Sequence, residues 1–271
     1  LNMTLYEVGP GTTANFITFN LNPKEGEDDG GITAPELTWM QNIKFRQALA
    51  HLADRETIIN NLSYGLGYPI YGPISFTSPF YWDEQEDYAL KFDPSKAEAL
   101  LDEINYIDRN NDGFREDPEG NKISLILQTN SGNSVREGVI EIFAQEAQAV
   151  GLDITAKPED FNTLVNRLTA TYDFHMIHIG LTAGVDPGLS NSVMPSFGEL
   201  HLFYPLQPEP VTEWEAKIDE LWAANRTTTD QEARAEYVQE VQKIWLENIP
   251  VLYLFQVLIV EAYGNEYGNI Y

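Results

Sequence analysis

Tyr172-Asp173-Phe174-His175-Met176-Ile177-His178-Ile179-Gly180, running on into Leu181-Thr182-Ala183-Gly184-Val185-Asp186-Pro187, decides how the rest of the chain is read. Apolar side chains sit at nearly every position of the first half, the pattern of a strand covered on both faces. Gly180, Gly184 and the Asp186-Pro187 pair then predict a turn out of extended geometry. In open α/β sheets, loops leaving the carboxyl ends of strands line the ligand crevice. The segment from Leu181 to Asp186 is therefore the expected contact with whatever the protein binds. His175 and His178 are three apart, and in a strand that spacing points them to opposite faces, which argues against a shared metal.

Working outward, Lys122 to Thr129 and Leu152 to Lys157 also read as strands. A helix with Val139, Ile142, Phe143 and Val150 on its stripe separates them, capped by Asn133 or Ser134 and closed by Gly151. Phe161, Leu164, Val165 and Leu168 mark a short helix before the opening strand. This β-α-β-α-β order implies parallel strands with right-handed crossovers, an α/β fold. Asn15 to Asn20 alternates as a strand, and Val251 to Ala262 is a near-continuous apolar strand. Their similar character predicts that the two ends of the chain lie together.

Between these, Phe45, Leu49 and Leu52 define a helix, and Asp54 caps another that Gly65 and Gly67 end. Asp93-Pro94 opens a third helix. Two late helices carry Trp222 and Trp245 on their stripes. Residues 23–38 read as an acidic loop and 68–92 as a long irregular segment. Trp39, Tyr71, Tyr81 and Trp82 fall in irregular stretches, where such rings either contact ligands or pack loops onto the body.

The 271 residues suffice for one large domain or two small ones, and 43% hydrophobic content marks a folded chain. The net charge of −26 opposes nucleic acid and anionic membrane surfaces as partners and suits a salty or extracellular setting. With no cysteine there is no disulfide framework or thiolate chemistry. No apolar run reaches the roughly 18 residues of a spanning helix, and the opening residues lack signal-peptide anatomy. The chain starts at Leu1 in mid-pattern, as a part of a longer protein would.

Asp108, Asn110 and Asp112, then Gly113, the Phe114 carbonyl and Glu119 at the twelfth position, match the D-x-[DN]-x-[DN]-G-x5-E loop that supplies hard oxygen ligands to calcium. The competing reading is an Asp/Asn/Gly turn held by side-chain-to-backbone bonds. The polar turn Asn130-Ser131-Gly132-Asn133 precedes a helix, where free N–H groups either hold a carboxylate or serve as a cap. No nucleophile elbow, P-loop or G-x-G-x-x-G is present, though 42 acids leave a carboxylate pair open.

Phe16-Ile17-Thr18-Phe19-Asn20 and the run Phe45-Arg46-Gln47-Ala48-Leu49-Ala50-His51-Leu52-Ala53-Asp54-Arg55-Glu56 together resemble the "F-N … R-Q-A … D-R" signature of extracellular solute-binding proteins of family 5. The resemblance extends through Tyr172-Asp173, Asp186-Pro187 and Arg234 to Pro250, almost the whole chain. It implies a lobe like those of type II periplasmic binding proteins, a mixed sheet flanked by helices. It further implies that residues 1–271 form the C-terminal ligand-binding lobe, with 1–20 and 251–271 as strands near the hinge, closing near Asn20 and Val260. The N-terminal lobe lies outside this chain.

By the same resemblance the protein is a monomeric, non-catalytic receptor of an ABC importer. It captures a peptide or similar small solute outside the cytoplasm, lipid-anchored or secreted, and delivers it to membrane permease subunits. Peptide binders of the family carry an Asp where Ala183 or Thr182 stands here, and some carry a His where Ser134 stands. Arg167 falls where some place an arginine facing the ligand carboxylate. The expected ligand-binding set is Arg167, Leu181, Thr182, Ala183, Gly184, Asp186, Asn130 and Ser134. Two other classes fit the same residues: a secreted hydrolase with a carboxylate pair, and an extracellular interaction module stabilised by calcium.

Overall fold

The computed structural model of the chain describes residues 2–26 and 29–266. In order, these form β1 (Met3–Phe19), α1 (Glu36–Gln41), α2 (Ile43–His51), α3 (Arg55–Leu62), β2 (Gly67–Pro69), α4 (Gln85–Tyr88) and α5 (Pro94–Glu103). There follow β3 (Ser124–Asn130), α6 (Ser134–Ala149), β4 (Asp153–Glu159), α7 (Phe161–Asn166), β5 (Met176–Thr182), α8 (Glu213–Thr227), α9 (Gln231–Asn248) and β6 (Val251–Gly264).

Short polar side chains start the helices where capping chemistry requires them. Asp54 accepts from the Thr57 N–H at 2.9 Å, and Asp93 from the Lys96 N–H at 3.2 Å with Pro94 behind it. Asn133 accepts from the Arg136 N–H at 3.1 Å, which settles the cap in favour of Asn133 and makes Ser134 the first helical residue. Thr212 and Asp230 do the same for α8 and α9.

The six strands form one sheet in the order β2-β6-β1-β5-β3-β4. β3 runs parallel to both β4 and β5, as the alternating pattern predicts, while β5–β1, β1–β6 and β6–β2 are antiparallel. The result is a mixed sheet flanked by helices. α6 packs its Val139, Ile140 and Phe143 onto the parallel half, all of them buried. Fully burying one such side chain contributes about 1.5–3 kcal/mol.

The first and last strands do meet: Met3 pairs with Gly264 and Thr18 with Val251. β1 is longer than the alternation of 15–20 predicts, because residues 3–14, which include two glycines and a proline, are held extended by pairing with β6 and, at Thr13 and Ala14, with β5. Toward the chain ends this ribbon leaves large apolar side chains in solvent, Leu5 at 70% exposure among them. Val260 belongs to that ribbon, opposite Glu7. Asn20 lies past the other end of β1, buried, its amide donating to the Tyr172 and Phe174 carbonyls at 2.7 Å each. The two expected hinge points thus sit at opposite ends of one strand.

β5 is shifted relative to its reading from sequence. Tyr172 adopts a left-handed conformation and the strand begins only at Met176, but it continues to Thr182. Gly180, Leu181 and Thr182 therefore lie in the strand, opposite Asn15, Ala14 and Thr13. Gly180 serves close approach, since a Cβ there would sit 3.2 Å from both Asn15 Oδ1 and Thr13 Cγ2. Gly67, read as a helix stop, is instead the first residue of β2.

All four aromatics expected in irregular stretches pack, and Trp39 does so from within the short helix α1 rather than from a loop. Trp39 is buried and donates to Asp117 Oδ2 at 3.0 Å; Trp82 is buried against Tyr88. Tyr71 lies under the Arg55 guanidinium at 4.6 Å, and Tyr81 stacks on Phe76 at 4.6 Å.

Candidate functional site

Where β5 ends, the chain opens into a cleft of about 180 Å³. Its floor is formed by Ala14 and Phe16 within β1, Leu181 and Thr182 at the end of β5, and Tyr253 near the start of β6. Ala183 and Gly184 form one lip. The wall opposite is built by residues 189–203, with Trp245 of α9 behind. Polar side-chain atoms in the lining are confined to the hydroxyls of Thr182, Ser190, Ser192 and Tyr253 and the indole of Trp245. Burial pushes the Tyr253 phenol well above its usual range, so it stays neutral. Thr182 is already engaged with Thr13 at 2.8 Å between hydroxyls, and the Ala183 N–H donates to the Thr12 carbonyl at 3.1 Å.

The wall has no regular period, so side chains from the helices behind it must hold it. Asp186 receives the Arg234 guanidinium at 2.6 and 3.1 Å and the Gly188 N–H at 2.8 Å. The Arg234 bond holds the Asp186 carboxyl below its usual range. Asp219 of α8 accepts from both the N–H and the hydroxyl of Ser196. Deeper in, His201 and Glu215 are both buried, 3.5 Å apart. Burial would raise the Glu215 carboxyl, but hydrogen bonds from His201, Thr212 and Gln207 hold it below its usual range. Phe203 stacks on His201 at 4.0 Å and meets Trp214 and Trp245 edge-on or tilted within 6 Å. Asp186 is an anchor of the wall and does not line the cleft.

A second, polar region lies at the ends of β3 and β4. Arg167, in a π turn after α7, is ion-paired with Glu159 at 3.1 Å and Asp173 at 2.7 Å. Glu159 also accepts from the Gln128 amide at 2.8 Å. Asn130 accepts from Arg136 at 2.7 Å, and the Gly132 N–H donates to Glu137 Oε1 at 2.7 Å. The polar turn thus does hold a carboxylate, one supplied by its own helix. Of the expected ligand set, Leu181, Thr182, Ala183 and Gly184 come together in the cleft; Arg167, Asn130, Ser134 and Asp186 are outside its lining. Residues 189–203, Trp245 and Tyr253 were not anticipated. The one sequence signal for the wall is the short apolar run Leu200-His201-Leu202-Phe203-Tyr204 inside an irregular stretch.

His178, in the middle of β5, is fully buried opposite Ile17, and neither ring nitrogen has a partner among the described residues. Burial, with Arg136 adding repulsion, pushes its pKa down to about 3. His175 faces elsewhere and accepts from the Ile126 N–H at 3.1 Å, so the pair does not converge.

In the 108–119 turn the converging carboxylates are Asp108, Asp112 and Glu116, with donor oxygens within 4.8 Å of one another. Glu119 is exposed and its N–H donates to Asp117. Asp108 accepts from the N–H groups of Asn111, Asp112 and Gly113, while Asn110 donates to Glu116. The Phe114 ring lies under Lys122 at 3.6 Å. The donors are all oxygens and fit a hard cation such as calcium, with Glu116 rather than Glu119 closing the group.

The model of "Bacterial extracellular solute-binding proteins, family 5 Middle" matches residues 2–199. The chain belongs to family 5 of the bacterial extracellular solute-binding proteins. Among its curated relatives, a Deinococcus radiodurans protein named "Probable ABC transporter-binding protein" is 28% identical over 263 residues, 89% of this chain and 41% of the relative. Oligopeptide-binding protein AppA of Bacillus subtilis is 28% identical over 217 residues, 78% of this chain and 38% of its own length. The solved structure of AppA with a nonapeptide superposes with a TM-score of 0.78 at 21% identity, over 100% of this chain and 50% of AppA. MelB of Agrobacterium fabrum in complex with stachyose gives 0.80 at 18% identity, over 97% and 40%. This family 5 chain spans about two fifths of the length of the curated relatives it matches. Among the described residues, no helix is long and apolar enough to cross a membrane.

Proposed function

We propose that this chain is the C-terminal lobe of the solute-binding component of an ABC importer, a receptor without catalysis. It would close with a second lobe over a peptide or similar small solute and hand it to membrane permease subunits. The observation that carries this reading is the open cleft at the carboxyl end of β5, flanked by the paired β1–β6 ribbon. Ligands bind outside strand ends in such sheets. AppA, captured with a nonapeptide, favours peptide as the solute class. The family's extracellular character and the charge of −26 fit an extracytoplasmic protein, secreted or lipid-anchored.

Native mass spectrometry of the full-length protein identifies the co-purified solute, and calorimetry then compares full-length protein with this lobe. The lobe alone is expected to bind at least tenfold more weakly, because half the contacts and the exclusion of water are lost. Equal affinities would refute the two-lobed account.

For the turn at 108–116, the proposal is a structural calcium ion held by Asp108, Asn110, Asp112 and Glu116. An ion that binds the native state raises stability by about 2.7 kcal/mol at a hundred times its Kd. Calcium should therefore raise the melting midpoint relative to a chelator. An unchanged midpoint dismisses the ion and leaves the turn to its side-chain-to-backbone bonds.

A further inference from the structure

We infer that the cleft of this lobe receives an uncharged, apolar side chain of a peptide, of the size of leucine or phenylalanine. The inference rests on the two-lobed solute-binding reading and narrows it to a class of solute. No carboxylate, guanidinium, ammonium or imidazole is among the residues that line the cleft. A charged group placed there would lose its hydration without gaining a partner, which is strongly unfavourable. Of the arginines in the neighbouring segments, Arg167 is ion-paired with Glu159 and Asp173 and Arg234 with Asp186, while Arg136 and Arg226 donate to the amide oxygens of Asn130 and Asn191. None of these arginines lines the cleft, and the charge of −26 opposes an anion at longer range.

Size and surface chemistry point the same way. An aliphatic and aromatic cavity of about 150 Å³ takes up benzene, so 180 Å³ walled by Phe16, Val193, Met194 and Phe203 suits one large apolar side chain. Leu189 lines the mouth and is 78% exposed, apolar surface that a bound apolar group would cover. An oligosaccharide would bring a hydroxyl on most carbons, far more than the few hydroxyls of this lining can satisfy, and each unpaired one is costly.

The test uses the full-length protein freed of bound solute. It is incubated with an equimolar pool of five alanine pentapeptides differing only in a central phenylalanine, leucine, serine, aspartate or lysine, and separately with stachyose. Complexes are counted by native mass spectrometry. The phenylalanine and leucine peptides should be retained at least tenfold over the aspartate and lysine peptides, and stachyose should not be retained. Leu189→Asp puts a carboxylate in the mouth at a solvent-exposed position and should cut retention of the phenylalanine peptide at least tenfold. Leu206→Asp, also exposed but outside the lining, should leave retention unchanged, and melting curves confirm that both variants fold.

Retention of the aspartate or lysine peptide on a par with phenylalanine, retention of stachyose, or retention of no pentapeptide overturns the inference. Mass spectra of the protein as purified separate that failure from a failure of the receptor reading. A solute carried through purification upholds the two-lobed account even when every pentapeptide is refused.

Discussion

The two regions at the carboxyl ends of the parallel strands differ in one respect that decides their roles. At the ends of β3 and β4, every charged or amide group singled out as a ligand contact already has a partner on this chain: Arg167 has two acids, Asn130 has Arg136, and Gly132 has Glu137. At the end of β5, the surface is apolar and open. A ligand arriving at the first region must break existing pairs, with their desolvation cost, before it gains any of its own. One arriving at the second only displaces water from apolar surface. Residue type alone offers both regions as ligand contacts; occupancy separates them.

The sharpest way to break this comparison is at the cleft wall. Phe203→Ala removes a buried ring that stacks on His201 and lines the cleft, and should cost about 3–5 kcal/mol of stability. Urea melts measure it. A cost below about 1 kcal/mol would mean that the wall is not the packed support described here.

Between the two regions stands His178. In the folded chain it stays neutral down to about pH 3, whereas the unfolded chain takes up the proton near 6.5. Between those values the unfolded state binds more protons, so stability falls as pH drops, by up to about 1.4 kcal/mol per pH unit from this group. His178→Leu should flatten that part of the stability–pH curve. A slope identical to that of the parent would show that other groups carry the acid response.

The smallest effect should come from the polar region. Arg167→Ala leaves Glu159 without its cation and should lower stability by about 2 kcal/mol, while solute affinity of the full-length protein stays within about twofold. A tenfold loss of affinity in calorimetry would return the polar region to the binding site.

Much of the fold is legible in the residues. The α/β order, the helix starts at Asp54, Asp93 and Asn133, and the parallel trio β3, β4 and β5 follow from periodicity and capping, which are local. The early half of β1 is not, because Met3 to Pro10 are extended through pairing with Leu258 to Gly264 at the far end of the chain. The same holds for Leu181 and Thr182, which the glycines around them suggest should turn and which pairing with Ala14 and Thr13 keeps straight. In the cleft, the lip at 181–184 is visible from the strand-to-loop transition. The wall at 189–203 is not, since it has no period and its shape is set by Asp219, Arg234 and Glu215 on helices that follow it in sequence. The aromatic residues Trp39 and Trp82 look the same in sequence whether they face a solute or a core, and burial alone distinguishes them.

By itself, the order of residues determined which segments are helix or strand, that the chain is strongly acidic and free of cysteine, and which family signature it carries. Those are properties of neighbours along the chain and of sums over it. The tertiary structure alone decided which polar groups are spent on each other and which surface is left open to a solute. An arginine is free or committed according to what lies within a few ångströms in space, and the acids that hold Arg167 and Arg234 are set there by folding.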